Sequence, residues 1–247
     1  MALCLAESLL ATGGNDARDQ MERYLRWQRD GHLSARGLPG QATPDVARAI
    51  ATWQWRGQPQ AGSHDPRDRS TAALPRVASA VAYALAEPAA AVALAADCAR
   101  TTHQSPLVLD ACRYYAALLV GALRGATSQQ LCYGSFEPVP GLWASRPLKP
   151  ELVTGLDGST TAHDPRTRVT GADVVHALVN LRTAVQPAHG VISAIEAAIV
   201  GGREPALDGA LAGALAGALH GASTLLSEAH AGLARPDLLE EVAARLV

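Results

Sequence analysis

Apolar residues recur at helical spacing along most of the chain, broken by short clusters of glycine, proline and small polar residues. Met1 to Thr12 is apolar at that period and stops at Gly13-Gly14, which predicts a helix closed by a glycine cap. Asp16 or Asp19 can open a second helix through Met21, Tyr24, Leu25 and Trp27, ending near Gly31. A loop from Ser34 to Thr43 follows, and Pro44 suits the first turn of a third helix through Ala47, Ile50 and Trp53. Beyond the polar loop Gly57 to Arg69, further helices are predicted over Leu74 to Ala86, Pro88 to Thr101 and Pro106 to Leu123. Cys132 to Thr170, rich in Pro, Gly and Thr, predicts the longest irregular stretch. Ala172 to Val185, Val191 to Val200, Ala206 to Leu226 and Pro236 to Leu246 complete the helical set. Strand-period alternation persists nowhere, so the expected fold is all-α, a compact orthogonal multi-helix bundle over residues 1–247 as one domain.

One helix carries an unusual stripe. Gly209, Gly213, Gly217 and Gly221 recur at every fourth position, beside Leu211, Leu215 and Leu219. Glycine costs a helix about 1 kcal/mol relative to alanine. Four on one face therefore predict a neighbouring helix packed on the bare backbone.

Composition narrows the picture. Apolar residues make up 48% of the chain and aromatics only 4%, so the core is built from alanine and leucine and needs closely approaching helices. A net charge of −2 supplies no field that would gather nucleic acid or an anionic membrane. The cysteines Cys4, Cys98, Cys112 and Cys132 show no metal-finger spacing; Cys98 and Cys112 sit in apolar helical stretches, as buried reduced thiols do. A cytoplasmic location is the expectation. Met1 to Ala11 lacks a basic start and carries Glu7, and Asp208 and His220 interrupt Ala206 to Leu226, so neither reads as an export signal or a membrane span.

Few polar residues suggest chemistry by spacing alone. His64-Asp65 and His163-Asp164 each precede a proline, which is turn chemistry. His103 lies in Arg100-Thr-Thr-His103 just ahead of Pro106, either as a substrate residue or, the more ordinary role, as a loop histidine bonded to backbone. Glu204 and Asp208 flank a helix start, where they can hold a weak cation or, more commonly, complement the helix dipole.

The glycine stripe leads to a resemblance. Gly209-Ala210, Gly213, Gly217-Ala218 and Gly221 are similar to the small-residue run of a late buried helix in ADP-ribosylglycohydrolases. Met1 to Leu10, Asp19 to Tyr24, Gly31 to Ser34, Arg100 to His103, Asp110 to Arg113 and Leu238 to Leu246 resemble the dinitrogenase reductase-activating branch, in order. That resemblance implies an all-α fold and hydrolysis of a bond between ADP-ribose and a protein side chain. It also implies Mg²⁺ or Mn²⁺ held by carboxylates and threonine hydroxyls, since hard cations demand oxygen ligands.

Position by position, the polar motifs depart from the family pattern. An Asp-Asp-Thr motif would fall upstream of residue 1, which implies truncation. A ligating Asp falls on Gln41, with Asp45 four residues on. Asp-x-Asp-Thr falls on Glu204 to Leu207, leaving Glu204 as a carboxylate with Asp208 beyond it as the remnant metal ligands. A Gly-Asn-Gly-Ser motif that cradles ADP-ribose falls on Ser70 to Ala73, followed by Arg76, which with His103 forms the candidate substrate-binding pair. An aromatic position near Gly171 is taken by Asp173. Loss of ligands with retention of packing implies an impaired or inactive hydrolase, with doubtful metal binding and ADP-ribose or an ADP-ribosylated protein as partner. The alternatives are an active hydrolase whose first segment precedes residue 1, and a non-enzymatic regulatory domain.

Overall fold

The computed structural model describes residues 1–158, 173–221 and 232–246. Helix α1 (Ala2–Thr12) ends where Gly13 turns left-handed at φ 72° and bonds back to Leu9. Asp16 opens α2 (Ala17–Asp30), its carboxylate accepting from the amides of Arg18 and Asp19; Gly31 closes that helix. Pro44, Pro88 and Pro106 stand in the first turns of α3 (Pro44–Arg56), α5 (Pro88–Ala99) and α6 (Pro106–Leu123), where a missing amide proton costs nothing. Asp173 caps α10 (Val174–Val185), which precedes α11 (Val191–Gly201), α12 (Pro205–His220) and α13 (Pro236–Leu246).

Two stretches differ from the sequence reading. The helix expected over Leu74 to Ala86 begins as a 3-10 turn, Leu74–Arg76, and continues as α4 only to Tyr83 (Val77–Tyr83). Within the stretch expected to be irregular lie the short helices α8 (Leu142–Ser145) and α9 (Pro150–Leu156), with α7 (Ser128–Leu131) just ahead of it. Helices of one or two turns are too short to display a 3.6-residue period. The expected helical residues 222–226 and the pair His163-Asp164 lie outside the described residues. Among the described residues there is no strand, only a single bridge between Ser63 and His103.

Helix α6 is the centre of the molecule: every residue from Leu107 to Ala122 is buried, and it packs against α4, α5, α7, α9, α10 and α12. By length and composition it could cross a membrane, a property shared by the core helices of globular folds. Here its apolar side chains share one buried cluster with Ala91, Ala95 and Ala96 of α5 and with leucines of α10 and α12. Burial pushes the Cys98 and Cys112 thiols up to about 12, so both stay protonated as small apolar groups. A second, smaller cluster of Cys4, Met21, Tyr24, Val46 and Ile50 joins α1, α2 and α3.

The glycine stripe of α12 divides into two halves. Ile195 and Ile199 of α11 lie against Gly209 and Gly213, where an added Cβ would meet their side chains at 3.2 Å. Among the described residues nothing lies within 4 Å of a Cβ at Gly217, and Gly221 ends the helix at a φ of 77°. The expected close approach therefore holds for the first two glycines, with α11 as the partner.

Candidate functional site

The segment Arg69–Arg76 ties five distant parts of the chain together through side-chain hydrogen bonds. Arg69 straddles the Asp173 carboxylate with two hydrogen bonds of 3.1 Å and also reaches Glu151, joining the start of α10 to α9. Ser70 donates its hydroxyl to Asp45 in the first turn of α3. Thr71 donates to Glu204 Oε2 at 2.5 Å, at the start of α12. Arg76, from the 3-10 turn, donates to the Thr102 hydroxyl and lies 5.2 Å above the Tyr24 ring.

His103 sits at the meeting point of these contacts, with no exposed surface. Its Nε2 is 2.8 Å from Asp45 Oδ2 and 3.1 Å from Ser70 Oγ, while Nδ1 is 2.8 Å from Thr102 Oγ1. Nε2–H donates toward Asp45 and Ser70, and Nδ1 shares a hydrogen bond with the Thr102 hydroxyl. Thr102 in turn accepts from Arg76, which gives a continuous chain Arg76–Thr102–His103–Asp45. The backbone locks the ring in place. Residue 103 donates its amide to Ala99 at 2.9 Å, and a Cβ at Gly62 would come within 2.3 Å of that nitrogen.

The two residues expected from sequence to bind substrate are thus members of one network. Arg76 is 3% exposed and engages Tyr24 and Thr102 from within the fold. The ordinary role considered for His103, a ring bonded to backbone, gives way to a ring bonded to three side chains. Asp45, Ser70, Thr71 and Thr102 complete the network. The sequence around Gln41 and Ser70 points to that neighbourhood, yet no spacing rule pairs residue 45 with residue 103.

The Asp45 carboxylate is engaged on several sides. It accepts from the hydroxyls of Thr43 and Ser70, from the Val46 amide at 2.9 Å and from His103. Burial pushes its carboxyl up, but the donors His103, Ser70 and Thr43 outweigh burial and hold it far below the usual carboxylate range. Beside it opens a cleft of about 480 Å³, walled by Asp45, Thr102, Arg48, Arg56, Ser63 and His64.

Glu204 and Asp208 are engaged separately. Asp208 is 3% exposed, and its Oδ2 accepts from the Glu204 amide at 2.9 Å, closing the first turn of α12. It lies so close to Gly202 that a Cβ there would fall 2.0 Å from Oδ2. The Glu204 carboxylate turns instead to Thr71. Gln41 is exposed. Among the described residues no three His, Cys, Asp or Glu side chains gather as a metal-ligand group. A hard dication takes oxygen ligands, and here the Glu204 carboxylate accepts from Thr71 and that of Asp208 from the Glu204 amide.

The chain is thus an all-α bundle with a carboxylate–histidine–hydroxyl cluster, its histidine fully buried, beside a polar cleft. The sequence profile of ADP-ribosylglycohydrolase matches residues 1–247, and the chain belongs to that family. Among solved structures it is similar to one described as an ADP-ribosylglycohydrolase-related protein complex, with 28% identity and a TM-score of 0.80. The match covers 99% of this chain and 78% of the other. No curated protein matches the chain.

Proposed function

We propose that this chain is a degenerate ADP-ribosylglycohydrolase, akin to the dinitrogenase reductase-activating branch, that binds ADP-ribose or an ADP-ribosylated protein without hydrolysing it. One observation carries the reading: the carboxylates nearest the family's ligand positions are already committed inside the protein. Asp45 accepts from His103, Ser70 and Thr43, Glu204 from Thr71, and Asp208 from a backbone amide. Stripping such donors from a carboxylate to free it for a cation costs the hydrogen bonds as well as the desolvation of the ion. The cleft beside Asp45 carries Arg48 and Arg56 as contacts for a diphosphate, set among the carboxylates of Asp45, Asp65 and Asp68. Titration calorimetry with ADP-ribose, with and without Mg²⁺, tests the reading. The expected result is binding that is insensitive to Mg²⁺, with no release of ADP-ribose from a modified protein. Binding that requires Mg²⁺, or measurable release, would overturn it.

A further inference from the structure

The polar groups around His103 are saturated by one another; those of a second cleft are not. At the carboxyl end of α6 and beside α7, a cleft of about 850 Å³ is walled by Gly121, Arg124, Gln129, Tyr133, Phe136 and Pro138, among others. None of its lining residues belongs to the cleft beside Asp45. Its volume falls in the range that encloses small ligands.

The floor is aromatic and tightly built. The Phe136 ring lies on the bare backbone of Gly121, where a Cβ would come within 2.5 Å of it. The Phe136 carbonyl is held by the Trp143 indole at 3.0 Å, so the ring is anchored from behind. At the rim, Tyr133 presents an aromatic face that is 85% exposed.

The charge balance is one-sided. Arg124 is the sole charged side chain of the lining, and among the described residues its guanidinium has no hydrogen-bond or ion-pair partner. The side chains of Gln129 and Tyr133 are likewise unengaged. Glu137, the carboxylate next in sequence to Phe136, is turned away to accept from the amides of Gly141 and Trp143. The carbonyls ending α6 do not offset Arg124 either, since the amides of Arg124, Gly125 and Ala126 already bond Val120, Ala122 and Gly121. A cation with no counter-charge, beside two aromatic rings and a free amide, is complementary to a flat ring that carries an anion.

We propose that this cleft binds a planar aromatic anion, the ring against Tyr133 and Phe136 and the carboxylate or phosphate on Arg124. Calorimetry of the full chain with indole-3-acetate, 3-methylindole and acetate separates the two contributions. Indole-3-acetate is expected to bind about tenfold more tightly than either fragment, because a charge-assisted hydrogen bond is worth roughly that factor. Arg124→Ala should remove that advantage, Tyr133→Ala should weaken binding about fivefold, and Tyr133→Phe should leave it unchanged. Both residues are exposed, so the variants fold. Equal binding of indole-3-acetate and 3-methylindole, insensitivity to both alanine variants, or no binding by the folded protein would each overturn the proposal. Adding ADP-ribose should not displace indole-3-acetate, and displacement would merge the two sites and also overturn it. Failure to bind ADP-ribose at all leaves this result untouched.

Discussion

At the scale of single residues, Asp45 is where the chemistry of this protein concentrates. Its folded carboxyl is held below its ordinary value, so the unfolded chain takes up the proton first as the pH falls. The stability it contributes is complete above the unfolded value of about 4 and drains away as the pH drops through the folded one. Asp45→Asn should therefore lower stability at neutral pH by about 2 kcal/mol, the scale of hydrogen bonds to a charged group. It should also flatten the acid limb of a stability-versus-pH curve from urea unfolding. An acid limb as steep as that of the unsubstituted protein would show that Asp45 is not the group responsible. Asp173 follows the same sign: burial raises it, and Arg69 with the α10 amides pulls it lower still.

Among the helices, α12 shows how one repeated residue type can do different work along a single face. Gly213 is pressed by Ile195, whereas Gly217 meets nothing within 4 Å among the described residues. Replacing Gly217 by alanine gains helix propensity without a collision, and should raise stability by about 0.5–1 kcal/mol in urea unfolding. The same change at Gly213 places a Cβ 3.2 Å from the Ile195 side chain, which must move. Its propensity gain is expected to be cancelled or reversed by that crowding. Equal stabilisation at both positions would mean that α11 does not constrain the stripe. The short helices α8 and α9 make the complementary point: Pro150 and the Glu137 carboxylate start them, not a run of apolar residues.

For the whole molecule, the connection from Arg69 to Arg76 matters more than its lack of regular structure suggests. It reaches α3, α9, α10, α12 and the loop ahead of α6 through side-chain hydrogen bonds. Removing Arg69 leaves Asp173, 8% exposed, with its charge compensated, among the described residues, only by backbone amides. Arg69→Ala should cost about 2 kcal/mol, and a double-mutant cycle with Asp173→Ala should return a coupling of at least about 1 kcal/mol. Additive losses would show that the pair does not hold the two regions together.

Much of the helical framework was legible along the chain because its signals are local. Gly13, Gly31, Asp16, Pro44, Pro88 and Pro106 act within one turn of their own positions, and apolar periodicity needs no knowledge of the partner. The family, too, was written in the order of short packing segments, and the profile match over residues 1–247 agrees with it. The assembly of the site was not. His103 lies 58 residues from Asp45, and Thr71 lies 133 from Glu204. Nothing in the neighbourhood of either residue specifies which donor a carboxylate will meet. Helix packing makes that choice, because a buried polar group takes whatever partner the closed core brings within 3 Å of it. The sequence by itself determined where most of the long helices start and stop, because caps and prolines act locally; only the tertiary structure decided that the carboxylates of Asp45, Glu204 and Asp208 face protein donors.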